Sequence, residues 1–427
     1  MTSRPPNHSS PDKLKRRFLS RRQFLDSSAR NAAGMAAAGV GAMSLSESAS
    51  GASVSETVRL GIVGLRNRGL VLAELFDSLS KARIEAVCDI DSHQFAPALA
   101  KLSQQTSPRV ESDFRRLLDR SEIDAVVVAA PDHWHFEMAQ AVLEAGKDLY
   151  LEVPLTHTIE QAQQLLKLRN EFPELIVQAG LTQRSATHFQ TAIEYLHSGA
   201  LGKVHLAKAW ATHRRRSIGR SKETQVPEGI DYAAWLGPAG EQPFRTNRFH
   251  HHWRWCWDFG SGELGNWGVH LLDVAGWGLG VELPKRVSSV GGMFHFDDDQ
   301  ETPDTQQVMY DFADKTITWE HRQWTPHANE GRSAGVAFYG DKGTLIIDRG
   351  GWKVYGQKDG DSRDGRDATA EHCQNFLACV GSRQTPNASL ETASASSLLC
   401  HLGNAAHRAG REISVDEFLS IRDREVV

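Results

Sequence analysis

The sequence predicts two domains, a parallel α/β sheet followed by an open-faced, mostly antiparallel sheet in an α+β arrangement. In the first half, short apolar runs alternate with helical patterns, as expected for a parallel sheet with helices on both faces. From about residue 200, strand-like runs follow one another with few helices between them, which favours an antiparallel sheet with one covered face. The 427 residues are enough for both domains and a tail.

The first 55 residues differ in composition from the rest of the chain. A basic segment is followed by the run SRRQFL at 20–25 and then by a short Ala-rich apolar stretch. This order matches the twin-arginine export signal of bacteria, and the apolar stretch is too short for a stable membrane span. We therefore assign residues 1–55 to a signal peptide and linker, and predict a periplasmic or otherwise exported protein that uses the twin-arginine machinery. A basic tail that contains Arg-Arg by chance is the alternative.

Residues 56–180 are predicted to form a dinucleotide-binding Rossmann domain. In the run RLGIVGLRNRG an apolar strand ends at Gly64, and a helical pattern begins after Gly69. Such a turn lets the backbone approach a pyrophosphate, and the helix N-terminus offers it free N–H groups. The usual middle glycine is Arg66, which either crowds the phosphates or pairs with them. We expect the pyrophosphate to be held by Gly64, Arg66, Asn67 and Gly69; a structural turn without a ligand is the alternative.

Three further strands follow in this domain. IEAVCDID leads to Asp89, about 20 residues past the turn, where a carboxylate can bind a ribose 2′-OH; this favours NAD over NADP. AVVVAAP and DLYLEVP end at Pro131 and Pro154. Because ligands bind at the carboxyl ends of such strands, we place the DHWH run after Pro131, together with Glu152, at the mouth of the site.

Residues 181–427 are predicted to form the second domain. Strands are indicated by KVHLAKAWATH, RVSSVGGMFHF, TQQVMYDF, KTITWEHRQW, SAGVAFYG and GTLIIDRG. DFADKT and YGDKGTL supply the Asp and Gly residues that hairpin turns require. AEHCQNFLACVG and ASSLLCHLGNAAHRAG are predicted helices that pack back on the first domain. Because an open sheet face commonly needs a cover, we predict a homo-oligomer.

Residues 249–280 carry the densest chemistry of the chain. The run FHHHWRWCWDFGSGELGNWGVHLLDVAGWGLG combines tryptophans and histidines with carboxylates and an amide. Aromatic faces stack on the C–H face of a sugar while polar groups bind its hydroxyls, so a sugar or glycoside is the predicted small-molecule substrate. Trp277 is interpreted as core; for Trp253 and Trp257, site and core are equally good interpretations.

Charge and cysteine content narrow the functional classes. A net charge of −5 and a pI near 6.4 argue against a nucleic-acid-binding protein. The five cysteines form no C-x-x-C pair, so we predict neither a disulfide framework nor a metal site. A zinc ion held by His133 and His135, or by His250 and His252, is the weaker alternative.

Several of these runs together resemble the Gfo/Idh/MocA family, named after glucose-fructose oxidoreductase, inositol dehydrogenase and a rhizopine-catabolism protein. The likeness rests on GIVGLRNRG, AAPDHWH, LEVP, IDYAAWLGPA and GSGELGNWGVHLLD, and it extends from Arg59 to the C-terminus. The resemblance implies hydride exchange between a nicotinamide and a sugar or polyol carbon. It also implies that exported members keep their nucleotide tightly bound.

Three positions depart from the family's pattern. Arg66 replaces the middle glycine, and Val153 replaces the lysine of E-K-P, which helps to deprotonate the reacting hydroxyl. Asn266 replaces the acid of D-x-G-x-H, whose histidine remains as His270. Valine cannot move a proton, whereas a histidine can act as a general acid or base near neutral pH.

The predicted site follows from these matches. We predict His270 and Asn266 as catalytic residues, with Pro131, His135, Glu152 and Pro154 at the nicotinamide end of the cofactor. The substrate side is assigned to His252, Trp253, Arg254, Asp258, Gln183 and Arg184. The main functional hypothesis is an exported, NAD-retaining oxidoreductase that acts on a sugar, polyol or glycoside. The alternatives are a redox-neutral NAD-dependent glycosidase or lyase, a branch that also carries E-V-P, and a sugar-binding protein without catalysis.

Overall fold

The computed structural model describes residues 57–103, 107–358, 360–416 and 418–419. The predicted signal peptide therefore lies outside the described residues. The first sheet has six strands, all parallel, in the order β3-β2-β1-β4-β5-β6. These are β1 (Val58–Val63), β2 (Ala82–Cys88), β3 (Arg109–Glu111), β4 (Ala125–Val128), β5 (Asp148–Leu151) and β6 (Val177–Ala179). The connecting helices are α1 (Arg68–Asp77), α2 (Phe95–Leu99), α3 (Phe114–Leu118), α4 (Asp132–Glu144) and α5 (Ile159–Glu171).

The first sheet confirms the predicted parallel architecture. β4 and β5 are buried at every position, as apolar strands covered by helices on both faces must be. The strand order reverses between β1 and β4, and ligands bind at such a switch point, outside the carboxyl ends of the strands. β3 and β6 were not predicted, because three-residue strands leave too little pattern to recognise.

The second sheet is mostly antiparallel, as predicted. Among the described residues its order is β14-β13-β12-β11-β7-β10-β9-β8-β15, and only β7 and β10 run parallel. The strands are β7 (Val204–Thr212), β8 (Arg286–Gly292), β9 (Thr305–Asp311), β10 (Thr316–Arg322), β11 (Ala334–Gly340), β12 (Gly343–Asp348), β13 (Gly351–Tyr355), β14 (Ser362–Asp364) and β15 (Ile413–Ser414). The last three were not predicted.

The remaining helices join the two sheets. They are α6 (Thr187–His197), α7 (Tyr232–Leu236), α8 (Val269–Leu279), α9 (Thr369–Ser382) and α10 (Leu390–Ala409). Phe376 of α9 packs edge-on against Phe76 and Tyr150 of the first domain. The start of α10 is tied to the same domain, since the backbone of Ala388 accepts a hydrogen bond from the N–H of Ala179. These contacts hold the C-terminal helices against the first domain, as predicted.

The surface of the second sheet keeps one open face. Val290 and Met309 are exposed there, on neighbouring strands. Pairing of this face with a second copy stays a prediction. In the part of the chain that the structure describes, no helix combines the length and apolar character of a membrane span.

Candidate active site

A single cleft between the sheets brings together most of the predicted site residues. Its volume is about 630 Å³, within the range of small-molecule sites. The predicted residues that line it are Gly64, Arg66, Asn67, Asp89, Pro131, His135, Glu152, Pro154, Trp253, Arg254, Asn266 and His270. The cleft therefore runs from the glycine turn after β1 to the start of α8.

The glycine turn is shaped by backbone that leaves no room for side chains. Gly64 has a φ of 86°, and a Cβ on it would lie 2.7 Å from the carbonyl oxygen of Ala129. A Cβ on Gly69 would lie 1.9 Å from the oxygen of Gly64. α1 begins at Arg68 without a side-chain cap, so its N-terminus is open to an anion. The turn fits a dinucleotide pyrophosphate, but Gly69 serves the close packing of the turn and does not line the cleft.

Two charged residues flank this turn. The Arg66 side chain is exposed at the cleft edge and makes no hydrogen bond or ion pair to any described residue. The side chain could therefore pair with an anion at the turn. The Asp89 carboxylate accepts hydrogen bonds from the N–H groups of Leu65, at 2.8 Å, and Asp91, at 3.0 Å. Burial raises the pKa of Asp89, and the carboxylate keeps lone pairs for a ribose hydroxyl.

The wall at the ends of β4 and β5 is held by side-chain bonds. Arg68 Nε donates to Glu152 Oε1 at 2.8 Å, so the glycine turn is tied to β5. The ring nitrogens of His135 lie 2.6 Å from the Pro154 oxygen and 2.9 Å from the Ala130 oxygen. His135 is buried and lines the cleft, so these contacts hold its ring in place within the wall.

The opposite end of the cleft is built on a distorted helix start. Leu264–Gly268 forms a π-helical turn that runs directly into α8, and such turns recur at functional sites. The turn carries Asn266, whose Nδ2 donates to Glu263 Oε2 at 3.2 Å. Burial raises the pKa of Glu263, but the hydrogen bond from His213 and the charge of Arg215 outweigh it and hold the pKa at about 2. Asn266 is thus oriented by an ionised carboxylate.

His270 differs from the sequence-based expectation in its proton affinity. Desolvation in the cleft, followed by the charges of Arg349 and Arg68, lowers its pKa to about 3. The imidazole is therefore neutral at physiological pH. The sequence predicted a histidine that titrates near neutral pH, and the structure differs from that expectation. Its Nδ1 is buried and has no hydrogen-bond partner among the described residues. The residue as a whole is partly exposed and lines the cleft, so a ligand would meet another part of the ring.

Sequence reasoning missed two arginines at this end of the cleft. Arg68 belongs to the glycine-turn run, but nothing local shows that it reaches Glu152. Arg349 lies in the turn between β12 and β13, and its guanidinium carbon is 4.8 Å from the centroid of the Trp267 ring. No local pattern indicates that this turn faces the first domain. Both arginines line the cleft with His270.

Four residues assigned to the substrate side lie elsewhere. Arg184 forms two 2.8 Å hydrogen bonds with Asp273 and covers the Trp277 ring, so this buried ion pair turns it away from the cleft. Gln183 is buried beneath the wall. Asp258 is exposed and accepts a hydrogen bond from Gln242. In the 3₁₀ turn His252–Trp255, Trp253 and Arg254 line the cleft whereas His252 does not.

The histidines of the alternative zinc pairs have other partners. His133 Nε2 donates to the Trp235 oxygen at 2.9 Å, and His250 Nε2 donates to Asp91 Oδ2 at 2.7 Å. Within the described residues no three His, Cys, Asp or Glu side chains form a group that could hold a metal ion.

Comparison with known proteins identifies the family. Residues 58–179 match the model of an oxidoreductase family with an NAD-binding Rossmann fold, and residues 208–318 match the C-terminal alpha/beta domain of the same family. The two matches together cover just over half of the chain. The chain belongs to the Gfo/Idh/MocA oxidoreductase family. Its strand order and its glycine turn agree with the Rossmann fold of that family.

Relatives of this Gfo/Idh/MocA chain include proteins named glycosyl hydrolase family 109 protein. The one from Saccharopolyspora erythraea is 29% identical over 221 residues, which is 48% of this chain and 48% of the relative. The chain therefore matches about half, or less, of the length of these relatives; a match in Shewanella sp. strain W3-18-1 covers 26% of each.

Solved structures share the fold over most of this chain. Aldose-aldose oxidoreductase from Caulobacter crescentus aligns with a TM-score of 0.66 at 16% identity, over 84% of this chain and 99% of that chain. Levoglucosan dehydrogenase, solved with NADH, aligns with a TM-score of 0.65 at 16% identity and the same coverage. At this identity the likeness establishes the fold alone.

Proposed function

We propose that this protein is an NAD-dependent enzyme that cleaves a glycoside through a transient, fully reversed hydride transfer. The observation that carries the proposal is the single cleft that joins the glycine turn to His270 and Asn266. The names of the glycosyl hydrolase family 109 relatives support cleavage over net oxidation. Export through a twin-arginine signal is part of the proposal and rests on residues 1–55 alone.

The residues of the first domain fit the cofactor. Gly64, Arg66 and Asn67 would hold the pyrophosphate, and Asp89 the adenosine ribose. Glu152 and Pro154 would border the nicotinamide. When bound, NAD would take a hydride from a sugar carbon and return it to the same molecule, so that no second redox substrate is needed. Such a cycle suits a compartment in which free nucleotide is scarce.

His270 handles the proton of the reacting hydroxyl, and two arginines stabilise the charge that forms on its oxygen. The neutral imidazole lines the cleft and would take up the proton of the substrate's hydroxyl. The positive charges of Arg68 and Arg349 stabilise negative charge that develops on that oxygen. The same charges resist a persistent imidazolium, so the proton passes onward to water or to the leaving group. Val153 takes no part, because its side chain is aliphatic.

The test follows the fate of the hydride and of the neighbouring hydrogen. Purified protein is denatured, and released NAD(H) or NADP(H) is identified by mass spectrometry, with about one NAD per chain expected. A separate, native sample of the protein is given a panel of α- and β-nitrophenyl glycosides in D₂O. We expect release of nitrophenol without NADH absorbance, and deuterium in the product at the carbon beside the oxidised one.

Three results would contradict the proposal. Stoichiometric NADH together with an oxidised sugar would establish net oxidation, the second candidate, which the sugar oxidoreductases of the same fold favour. Sugar binding without hydride transfer in any of the glycosides would establish a binding protein. A glycoside that is cleaved without deuterium uptake would indicate direct hydrolysis.

A further inference from the structure

Glu263 is a buried acid next to the reaction end of the cleft. Its Oε1 accepts a hydrogen bond from Arg215 Nη2 at 2.8 Å and lies 3.4 Å from His213 Nδ1. Its Oε2 accepts from the same Nη2 at 3.1 Å and from Asn266 Nδ2 at 3.2 Å. Glu263 is only 1% exposed and does not line the cleft, whereas Asn266 does. The acid therefore reaches the cleft through the asparagine.

The two other partners of Glu263 are held by aromatic rings. His213 directly follows β7, and the centroid of its ring lies 4.4 Å from that of Trp267. The guanidinium carbon of Arg215 lies 5.7 Å from the centroid of the Trp255 ring. The carboxylate is thus fixed in one place by side chains of the second domain.

The charge of Glu263 determines which way the Asn266 amide faces. Because the pKa of Glu263 is about 2, the group is ionised and can only accept hydrogen bonds. The NH₂ group of Asn266 must face it, since an amide oxygen in that position would meet a negative charge at hydrogen-bond distance. Asn266 Oδ1 has no hydrogen-bond partner among the described residues, and it is the polar atom left for the cleft.

Asn266 and His270 present two different acceptors to one substrate. They are four residues apart where the π-helical turn runs into α8, so their side chains lie on the same helical face, and both line the cleft. Under the proposed function, His270 takes the proton of the reacting hydroxyl. A hydroxyl has a single hydrogen to donate, so Asn266 Oδ1 needs a second donor. In a sugar, the nearest one is the hydroxyl on the neighbouring carbon.

We propose that Asn266 Oδ1 accepts a hydrogen bond from the hydroxyl beside the reacting one, and that Glu263 is the positioning residue that holds the amide in this orientation. The inference rests on the proposed function and narrows its substrate class to glycosides with free hydroxyls on two adjacent carbons. A substituent on the second hydroxyl removes the donor. The acid that the family's pattern has at position 266 is here replaced by an acid three residues earlier, which acts through an amide.

The first arm of the experiment removes hydroxyls from the substrate. The nitrophenyl glycoside that is cleaved best, or otherwise bound best, is compared with its monodeoxy analogues by kcat/KM. Their Kd values are measured by calorimetry on protein loaded with NADH, which cannot accept a hydride. For the wild type we expect one analogue, lacking a hydroxyl beside the oxidised carbon, to lose about 10- to 100-fold in kcat/KM. In Asn266→Ala the parent glycoside should already show this loss, and removal of the hydroxyl should add nothing.

The second arm exchanges the acid and the amide. Glu263→Gln lets the Asn266 amide turn over, so we expect about a tenfold lower kcat/KM and weaker discrimination against the deoxy analogue. In Glu263→Gln/Asn266→Asp, the introduced amide donates to the introduced carboxylate, whose other oxygen can accept from the hydroxyl. This double variant should have a higher kcat/KM than either single variant and regain the discrimination. A purely structural role of Glu263 would not produce this rescue.

Asp148→Asn is the matched control. Asp148 is a buried acid that pairs with Arg383 at 2.7 Å. It lies at the start of β5 and does not line the cleft, so its loss breaks a buried ion pair without changing kcat/KM. Thermal unfolding verifies that each variant is folded. If Glu263→Gln alone does not fold, the double variant is compared with Asn266→Asp.

The outcomes separate this inference from the proposed function. Equal discrimination against every deoxy analogue in the wild type and in Asn266→Ala would overturn the hydroxyl contact. A double variant without rescue would overturn the positioning role of Glu263. If the wild type binds glycosides but cleaves none, the proposed function fails and the Kd values alone decide the hydroxyl contact. If it binds none, both are overturned.

Discussion

The two ends of the cleft are built by different means. At the nucleotide end the shape comes from the backbone: Gly64 and Gly69 have no space for a Cβ, and α1 starts without a side-chain cap. At the reaction end the surface comes from side chains of distant segments, namely Asn266, His270 and Arg349. Because the nucleotide end is shaped by the backbone, it tolerates a side-chain change such as Arg66. The chemistry of the reaction end depends on side chains, so a single substitution can change it.

The largest effect is expected from Gly69→Ala, which attacks the backbone end. The new Cβ would lie 1.9 Å from the Gly64 oxygen and 3.3 Å from Ala129 Cβ, so the turn must deform. We expect a loss of about 1–3 kcal/mol or more in the free energy of unfolding. Bound NAD, measured by mass spectrometry, should fall to a small fraction of the wild-type content.

The control for this change is Gly381→Ala. Gly381 lies in α9 with no atom within 4 Å of an added Cβ, and alanine there should stabilise the helix by up to about 1 kcal/mol. If Gly69→Ala kept its NAD and its stability, the claim that backbone packing builds the nucleotide end would be wrong.

His270→Ala tests the side-chain end. Loss of a group that handles the hydroxyl proton should lower kcat by about 10²- to 10⁴-fold, while the NAD content stays unchanged because the glycine turn is intact. His327→Ala, at an exposed histidine, is the control. Turnover at the wild-type rate would exclude the role, and a loss of bound NAD would mean that the two ends are not separable.

The pH profile sharpens the same test. Because the pKa of His270 lies at about 3, the imidazole stays neutral as the pH falls from 8 to 5. The wild-type activity should therefore show no decline centred at the ordinary histidine value near 6.5. A decline centred near that value in the wild type, and absent from His270→Gln, would contradict this expectation. It would show that the pKa of His270 rises to the value predicted from the sequence when cofactor and substrate are bound.

The backbone end could be predicted from the sequence because its signals are local. The apolar strand, Gly64 and the helical pattern stand next to one another, and Asp89 follows at the expected spacing. The family resemblance identified His270 and Asn266, which the structure places in the same cleft. The alternation of strand-like and helical patterns, followed by a series of strands, also predicts both domains. Strands as short as Arg109–Glu111 were missed.

The side-chain end could be predicted only in part, because its partners are distant in the chain. Arg349 comes from a hairpin turn that is far from every motif. Arg184 was assigned to the substrate side, and nothing local in the sequence reveals the ion pair with Asp273 that holds it elsewhere. Likewise, the histidine run predicts polar contacts, but only the fold shows that His250 and His251 cross to the nucleotide end.

Asn266→Asp is expected to have the smallest effect on turnover. The family resemblance and the structure predict different outcomes for this change. The change restores the family's acid, and a carboxylate that contacted His270 would raise its pKa and its basicity. The structure predicts another outcome, because Asn266 Nδ2 lies 3.2 Å from Glu263 Oε2. The introduced carboxylate would lose this donor and face an ionised neighbour, which raises its own pKa.

The pH dependence of stability distinguishes these outcomes for Asn266→Asp. A carboxyl group whose pKa is raised by folding binds more protons in the folded state, so its penalty grows as pH rises above the unfolded value near 3.9. We expect a lower melting temperature than wild type at pH 7, a smaller deficit at pH 5, and turnover within about tenfold of wild type. Asn266→Ala, which removes the hydrogen bond without adding charge, should show a deficit that does not change with pH. A rise in turnover with an upward shift of the His270 pKa would instead mean that the acid reaches the histidine, and that the asparagine weakens catalysis in this chain.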